Sequence, residues 1–231
     1  MRQIIMDTET TGLDPKSGDK VIEIGAVEMV KRKLTHNNYH QYIQPERDVP
    51  EDAIAVHGIT NEFLEGKPIF ADVIDDFMEY VSGAELIIHN APFDVGFINH
   101  ELSQLKNNRW GKIEDHCTIT DSLKMARKSF PGQRNTLDAL CKRFGIDNSS
   151  RTLHGALLDS EILADVYLAM TGGQTDLMLH DSFENDGENH VVKLDINRQK
   201  LKVLKATPEE LERHQKKLEA ISEKFGEPLS W

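Results

Sequence analysis

The sequence predicts an α/β fold in which a mixed sheet of five strands is flanked by helices and followed by a linker and a short C-terminal strand-helix segment. Period-two apolar patterns, typical of strands, fill much of the first 43 residues. Patterns of period 3.6, typical of amphipathic helices, alternate with strand-like runs from residue 70 onward. Antiparallel strands followed by helix–strand alternation are typical of a mixed sheet covered by helices.

Four of the strands can be placed individually. Residues 2–7 form the first, and a turn-rich segment leads to the second, residues 21–30, where apolar residues recur at period two. The third, about residues 34–43, follows a link of three basic residues that is too short for a crossover helix, so these strands should pair antiparallel. Residues 86–89 form the fourth.

The clearest helical pattern covers residues 70–81. Its apolar stripe comprises Phe70, Val73, Ile74, Phe77, Met78 and Val81, and Gly83 stands near its C-terminal end. Further helices are predicted over about residues 92–105, 118–130, 136–144 and 156–170.

The character of the chain changes at Gly172-Gly173, which ends the first predicted domain, residues 1–171. Residues 172–192 form a predicted flexible linker, because residues 174–192 hold five acidic residues, no Lys or Arg, and no sustained apolar periodicity. Residues 193–231 contain a strand-like run and then a helix with Thr207 as its N-cap. This unit is too small to bury its own apolar stripe, so we expect it to fold on a partner or to pack back on the main domain. The stripe comprises Leu211, Leu218, Ile221 and Phe225.

Composition narrows the classes of function. No apolar run approaches the roughly 20 residues that span a bilayer, and no signal-peptide core follows Met1, so we expect a cytoplasmic protein without membrane contact. Cys117 and Cys141 match neither a disulfide framework nor a zinc site. The net charge of −12 argues against coating duplex DNA by charge alone, and neither domain offers a broad basic surface. This net charge is compatible with an enzyme that binds one or two nucleotides through bridging cations.

Three carboxylates stand at the ends of strands or the start of a helix. Asp7 and Glu9 end the first strand at positions i and i+2, on one face, where they raise each other's pKa unless a cation lies between them. Asp94 falls in the first turn of the helix after the fourth strand, where the helix dipole favours a carboxylate. Each alone also suits a solvated strand end or a helix cap, so only their combination indicates a site.

His154 and Asp159 add a fourth carboxylate and an imidazole. If both residues were helical they would point about 140° apart, so His154 should lie on the loop before the helix, where Gly155 permits a bend. Four carboxylates and one histidine match what two-metal phosphoryl chemistry requires. Oxygen ligands without Cys favour two Mg²⁺ or Mn²⁺ ions, and histidine, which titrates near neutral pH, is suited to take a proton from water.

These residues resemble the three motifs of the DEDD superfamily of 3′–5′ exonucleases, in their expected order. The motifs here are Asp7-Thr8-Glu9, Asn90-Ala91-Pro92-Phe93-Asp94, and His154 through Asp159. The histidine branch is indicated because the tyrosine branch would need Tyr where Gly155 stands. The resemblance implies a ribonuclease H-like fold. Through Val56-His57-Gly58-Ile59 and the tail, it is strongest to the proofreading epsilon subunits of bacterial DNA polymerase III.

The resemblance implies a role for each motif residue. Asp7, Glu9 and Asp159 would hold the catalytic metal ion, Asp7 would bridge to the second ion, and Asp94 would support that ion largely through water. His154 would be the general base. The terminal nucleoside would be bordered by Thr10, Val56, His57 and Phe93. Judged from the residues alone, Val56 and Phe93 equally suit core positions.

The resemblance also implies partners beyond the DNA 3′ end. Residues 174–179 are similar to a sliding-clamp peptide, through Gln174, Leu177 and Leu179. The C-terminal segment would dock on the polymerase III alpha subunit, with Trp231 as a terminal anchor. A small accessory subunit is a further expected partner.

The function implied is proofreading, the removal of mispaired 3′-terminal nucleotides from DNA as 5′-monophosphates. One alternative is a free-standing RNA-trimming exonuclease of the ribonuclease T or oligoribonuclease type, although such proteins usually lack this tail. An alternative of another class is a scaffold subunit that mainly joins clamp and polymerase, against which the intact catalytic residues weigh.

Overall fold

The computed structural model describes residues 2–149, 151, 153–172 and 206–225. Its strands are β1 (Arg2–Thr10), β2 (Val21–Val30), β3 (Lys33–Leu34), β4 (Tyr39–Tyr42), β5 (Glu85–Ile88) and β6 (Thr118–Asp121). Its α-helices are α1 (Glu51–His57), α2 (Asn61–Leu64), α3 (Phe70–Val81), α4 (Ala91–Gln104), α5 (Ser122–Ser129), α6 (Leu137–Phe144), α7 (Ala156–Gly172) and α8 (Pro208–Phe225). Within these ranges, no helix combines the length and the apolar character that a membrane crossing needs.

The strands form one mixed sheet in the order β3-β2-β1-β5-β6, and β4 also pairs with β2. β1 is antiparallel to β2 and parallel to β5, and β5 is parallel to β6. The predicted antiparallel link between the second and third strands is a two-residue hairpin. Lys31 and Arg32 both have positive φ there, as the type I′ turn requires. The prediction of a mixed sheet between helices is therefore confirmed.

The sheet has six strands where the sequence predicts five. The strand predicted over residues 34–43 is divided into β3 and β4, because the chain turns between them and His36 takes a left-handed φ of 62°. The helix predicted from residue 118 begins only at Ser122, because Asp121 is its N-cap and accepts hydrogen bonds from the backbone N–H groups of Leu123 and Lys124. Thr118 and the three residues after it form β6 instead.

Alternate residues of β1 face the two helical layers. Ile4 and Met6 belong to a core that includes Phe77 of α3 and Phe97 of α4. Ile5 belongs to the opposite core, which includes Leu163 of α7. By the same alternation, the carboxylates that the sequence places at the end of β1 lie on the α7 side of the sheet, and the residue between them faces α4.

A close backbone approach fixes α7 on the sheet. A Cβ at Gly25 of β2 would lie 2.1 Å from the backbone nitrogen of Leu157, so α7 can reach this position only over glycine. Ser160 completes the junction by donating from Oγ to the Gly25 carbonyl at 2.8 Å. The first turn of α7 therefore stands over the end of β1 that carries the carboxylates.

The C-terminal helix α8 begins as the sequence predicts. The backbone N–H of Thr207 donates to Glu210 Oε2 at 2.8 Å, and the Glu210 N–H donates back to Thr207 Oγ1 at 3.3 Å. The chain divides into two compact units, Met1–Leu179 and His180–Trp231. The predicted linker, the clamp-peptide residues Gln174, Leu177 and Leu179, the strand-like run before α8 and Trp231 lie outside the described residues.

Candidate active site

The structure brings the five predicted catalytic residues to one cleft. Asp7 and Glu9 come from the end of β1, Asp94 from the first turn of α4, and Asp159 from the first turn of α7. His154 lies on the loop before α7, as the argument from helix geometry predicts. All five line a single cavity of about 620 Å³.

Burial and neighbouring carboxylates raise the pKa of Asp7, Glu9 and Asp94. Burial, followed by the charges of Asp159 and Glu23, raises the pKa of Glu9 to about 8. Burial also raises the pKa of Asp94 to about 7, although a hydrogen bond from Thr8 Oγ1 at 2.7 Å opposes the rise. The pKa of Asp7 lies well above its usual range because of burial and then of Asp94 and Glu9. Such a cluster gains stability from a bound cation.

Three ligand atoms are already close together in this cleft. Glu9, His154 and Asp159 each offer one such atom, and the three atoms lie within 4.8 Å of one another. The backbone N–H of His154 donates to the carbonyl of Val56 at 3.1 Å, so α1 holds the histidine loop in place. α1 is absent from the sequence prediction because its seven residues are too few for a periodic pattern.

Arg151 is a site residue that the sequence reasoning missed. Its Nε donates to Asp159 Oδ1 at 2.5 Å, its Nη2 donates to Asp159 Oδ2 at 2.7 Å, and Nη2 also lies 2.8 Å from His154 Nδ1. Its side chain is only 8% exposed. An arginine donates and does not accept, so His154 Nδ1 is the acceptor of this contact and carries no proton. Nothing in the local sequence distinguishes this arginine from a solvated one, because its partners come from the folded loop.

Glu23 is a second residue that the sequence reasoning missed. It lies directly opposite Glu9 in the β1–β2 ladder and is buried. Its Oε2 accepts from the backbone N–H of Ala156, the first residue of α7, at 3.1 Å, and its Oε1 lies 2.7 Å from His40 Nε2. Glu23 thus fastens the start of α7 to the strand beside Glu9.

A second cavity, of about 660 Å³, adjoins the first, and the two share Thr8, Glu9 and Phe93 in their linings. The predicted nucleoside-pocket residues Thr10, Val56, His57 and Phe93 all line it. Val56 is 48% exposed, so it is not a core residue. Phe93 has both a core contact and a place in the site. Its ring packs on Phe97 at 4.9 Å between centroids, and it also lines both cavities.

His57, which lines this second cavity, has a buried ring nitrogen to which no described residue is hydrogen-bonded. Its side chain is buried, and burial lowers its pKa, which favours the neutral ring. Nδ1 accepts from the backbone N–H of Ile59 at 3.0 Å, so the proton of the neutral ring is on Nε2. Among the described residues, Nε2 has no hydrogen-bond partner. A buried N–H without an acceptor is costly unless a ligand accepts from it.

Comparison with known proteins identifies the family. A family model described as Exonuclease matches residues 4–167. The DNA polymerase III subunit epsilon of Escherichia coli strain K12 is 52% identical over 235 residues, which cover 99% of this chain and 96% of that protein.

Two solved structures share the fold. Exonuclease X in complex with 5′-overhanging duplex DNA has a TM-score of 0.57 at 26% identity, covering 74% of this chain and 91% of that one. The nuclease domain of 3′hExo, a DEDDh family member bound to rAMP, has a TM-score of 0.61 at 22% identity, covering 74% and 92%. The family match spans most of the cleft-bearing unit and the curated relative spans nearly the whole chain. This chain therefore belongs to the exonuclease family and, within it, to the epsilon subunits of DNA polymerase III, which are 3′–5′ exonucleases.

Proposed function

We propose that this chain hydrolyses the last phosphodiester of a DNA strand from the 3′ end, releases a nucleoside 5′-monophosphate, and so removes mispaired nucleotides left by a replicative polymerase. The observation that carries the proposal is the contact between two cavities. One is lined by the four predicted carboxylates and by Asp138 and is suited to cations and a phosphate, and the other, of about 660 Å³, is large enough for one nucleoside.

The carboxylate cluster fits two Mg²⁺ or Mn²⁺ ions. Its donors are oxygens from Asp7, Glu9, Asp94 and Asp159, without any thiolate. Burial and neighbouring carboxylates raise the pKa of the first three, and a bound cation would favour their charged forms. Asp7, Glu9 and Asp159 would hold one ion, and Asp7 with Asp94 the other. When bound, such ions activate water and neutralise the charge that develops on the leaving 3′ oxygen.

His154 would act as the general base. Its ring is about half exposed and lies beside Asp159, with Nδ1 3.4 Å from Oδ2. Nδ1 is the unprotonated nitrogen in the contact with Arg151 and is therefore the atom able to accept a proton from water. Arg151 must move away from this nitrogen before the transfer.

The second cavity would hold the terminal nucleoside. His57 Nε2–H would donate to an oxygen of the sugar or base, which supplies the acceptor that the buried ring lacks. Phe93 would pack against the nucleoside as an apolar face, Val56 would form the outer wall, and Thr10 would contribute its backbone. Release of this nucleoside with its 5′ phosphate then leaves a new 3′ hydroxyl on the shortened strand.

The test of this function compares four substrates of the same sequence with the full chain and Mg²⁺. They are single-stranded DNA, single-stranded RNA, duplex DNA with a paired 3′ end, and duplex DNA with a mispaired 3′ end. Proofreading predicts preference for DNA over RNA and for the mispaired over the paired end. Preference for RNA would favour an RNA-trimming enzyme, and no cleavage of any substrate would favour a scaffold role.

We further propose that residues 1–171 form the nuclease domain, residues 172–192 a linker with a clamp-binding peptide, and residues 193–231 a docking segment for the polymerase alpha subunit. A small accessory subunit and a cytoplasmic location complete this assignment. The docking face of α8 includes Leu211, which is 57% exposed, with Leu218 and Ile221. Their role rests on this apolar stripe on a helix that is otherwise largely polar and charged.

Pull-down with the alpha subunit tests the docking assignment. Leu218→Asp with Ile221→Asp should lose the alpha subunit and keep hydrolysis of short single strands, because a carboxylate buried without a partner in the interface costs several kcal/mol, on the order of 3–5. Lys216→Ala, at an exposed position of the same helix, is the matched control and should still bind the alpha subunit. Equal retention of both variants would contradict docking through this stripe.

A further inference from the structure

We propose that the cleft continues beyond the carboxylates into a preformed phosphate site, with Arg127 and Gln133 as its donors, that holds the phosphodiester one step upstream of the scissile bond. The inference rests on the proposed exonuclease function and extends it to a second nucleotide of the substrate. Neither residue belongs to the motifs on which the catalytic assignment depends.

The shape of the cleft gives the direction of the strand. The nucleoside cavity and the carboxylate cavity meet at Thr8, Glu9 and Phe93. Arg127, Gln133 and Asn135 form a wall that lines the carboxylate cavity and not the nucleoside cavity. If the terminal nucleoside lies in the nucleoside cavity and its phosphate among the carboxylates, the preceding nucleotide must extend along the carboxylate cavity.

The segment that carries Arg127 and Gln133 is basic, although the whole chain is acidic. Residues 122–144, which span α5, the following loop and α6, contain six basic residues and one acidic residue, whereas the whole chain has a net charge of −12. The basic residues are Lys124, Arg127, Lys128, Arg134, Lys142 and Arg143. The total charge therefore does not show this basic segment, of which one residue, Arg127, lines the cleft. Such a segment suits a single phosphodiester strand.

Two donors on this wall are available to a ligand. Within the described part of the chain, Arg127 makes no hydrogen bond or ion pair, and its side chain is exposed. Gln133 Oε1 accepts from Arg143 Nη2 at 3.0 Å, which leaves the amide NH₂ of Gln133 as the free donor. The one acidic residue of the segment, Asp138, also lines the cavity and forms an ion pair with Arg151 at 2.8 Å.

The loop that carries Gln133 is held rigidly before any substrate arrives. Arg143 donates to the Arg134 carbonyl at 2.9 Å and to Asn135 Oδ1 at 3.2 Å. The buried Asn135 donates from Nδ2 to two carbonyls of the same loop, and its own carbonyl lies 2.9 Å from His89 Nε2. This bond to a carbonyl requires the proton on Nε2 of His89. A preorganised loop binds a ligand without the entropy cost of ordering it.

The experiment uses the full chain and three thymidine substrates with Mg²⁺. The p-nitrophenyl ester of thymidine 5′-monophosphate and the dinucleotide TpT each contain only the scissile phosphate. The trinucleotide TpTpT adds one upstream phosphate. The variants are Arg127→Ala and Gln133→Ala, and the matched control is Lys128→Ala, which removes the same charge from the next position of the segment without lining the cleft.

Arg127→Ala should raise KM for TpTpT about tenfold and leave the ester and TpT within about twofold. Gln133→Ala should show the same selectivity with a smaller rise, and Lys128→Ala should match the parent on all three. A neutral methylphosphonate at the upstream linkage should abolish the difference between the parent and Arg127→Ala.

Equal losses of activity of Arg127→Ala on all three substrates would assign Arg127 a structural role and overturn the proposal. Unchanged kinetics of this variant on TpTpT would also overturn it. Failure of the parent to hydrolyse the ester or TpT would instead remove the proposed function, and this inference with it.

Discussion

Arg151 donates to both carboxylate oxygens of Asp159, from Nε at 2.5 Å and from Nη2 at 2.7 Å. Both side chains are buried, so each charge depends on the other for compensation. While this pair is intact, a cation bound to either oxygen of Asp159 would lie close to the positive guanidinium. The guanidinium and a metal ion would therefore compete for one carboxylate.

Arg151→Ala should destabilise the metal-free protein by about 3 kcal/mol, because removing one member of a buried ion pair leaves the other uncompensated. Urea unfolding in the presence of a chelator measures this loss. Added Mn²⁺ should stabilise the variant more than the parent, since the competing guanidinium is gone. The matched control is Arg109→Ala, which breaks an exposed pair with Asp75 and should cost less than about 1 kcal/mol. Equal losses in the two variants would contradict the competition.

The raised pKa of Glu9 predicts a pH-dependent stability. In the unfolded chain this carboxyl ionises near 4.5, but in the folded protein it keeps its proton until about pH 8. The folded state thus binds more protons across this window, and metal-free stability should fall as pH rises from about 4.5 to 8, by at most about 1.4 kcal/mol per pH unit from this group.

Glu9→Gln cannot ionise and should flatten this decline. The measurement is urea unfolding at several pH values with a chelator, for parent and variant. Parallel stability curves for the two proteins would show that Glu9 does not titrate in this window.

Features that depend on residues close together in the chain can be predicted from the sequence, whereas features that depend on distant residues cannot. The helix Phe70–Val81 and the loop position of His154 follow from local periodicity and helix geometry, and both are confirmed. The shared face of Asp7 and Glu9 follows from strand alternation and needs only two residues. These features are local, so a single sequence contains them.

Other features depend on residues distant in the chain. Arg151 reaches Asp159 through a loop whose path no periodicity describes, and Glu23 meets Ala156 across 133 positions. β6 has only four residues, which is too short for its alternation to outweigh the helix that follows. The basic segment around Arg127 cannot be predicted from the net charge, because a total does not show how charges are distributed along the chain.

Gly25→Ala tests whether α7 needs its close approach to β2. A Cβ there would overlap the backbone of Ala156 and Leu157, which cannot move without shifting α7, so we expect a loss of about 1–3 kcal/mol and a lower hydrolysis rate. Gly96→Ala is the control, because a Cβ there meets nothing within 4 Å and alanine favours a helix by up to about 1 kcal/mol. The measurements are the free energy of unfolding and the hydrolysis rate of both variants, each compared with the parent. A Gly25→Ala protein as stable and active as the parent would contradict this packing.

His154→Ala should lower turnover by roughly 10²–10⁴-fold, the usual contribution of a general base, while metal binding is retained. Hydroxide can replace the base, so part of the rate should return at high pH. The pH–rate profile of the variant and its thermal shift with Mn²⁺ measure both effects. An unchanged profile with full activity would remove the histidine from the mechanism.

The fate of a 5′-labelled single strand of DNA, incubated with the full chain and Mg²⁺, tests the central claim most directly. The carboxylate cluster predicts stepwise shortening from the 3′ end, with nucleoside 5′-monophosphates as products. It also predicts that Asp7→Asn abolishes shortening while the variant folds at least as stably as the parent, because burial and the neighbouring carboxylates disfavour an ionised side chain at this position. Internal cuts, nucleoside 3′-monophosphates, or a near-parent rate in Asp7→Asn would contradict the assignment of this cleft.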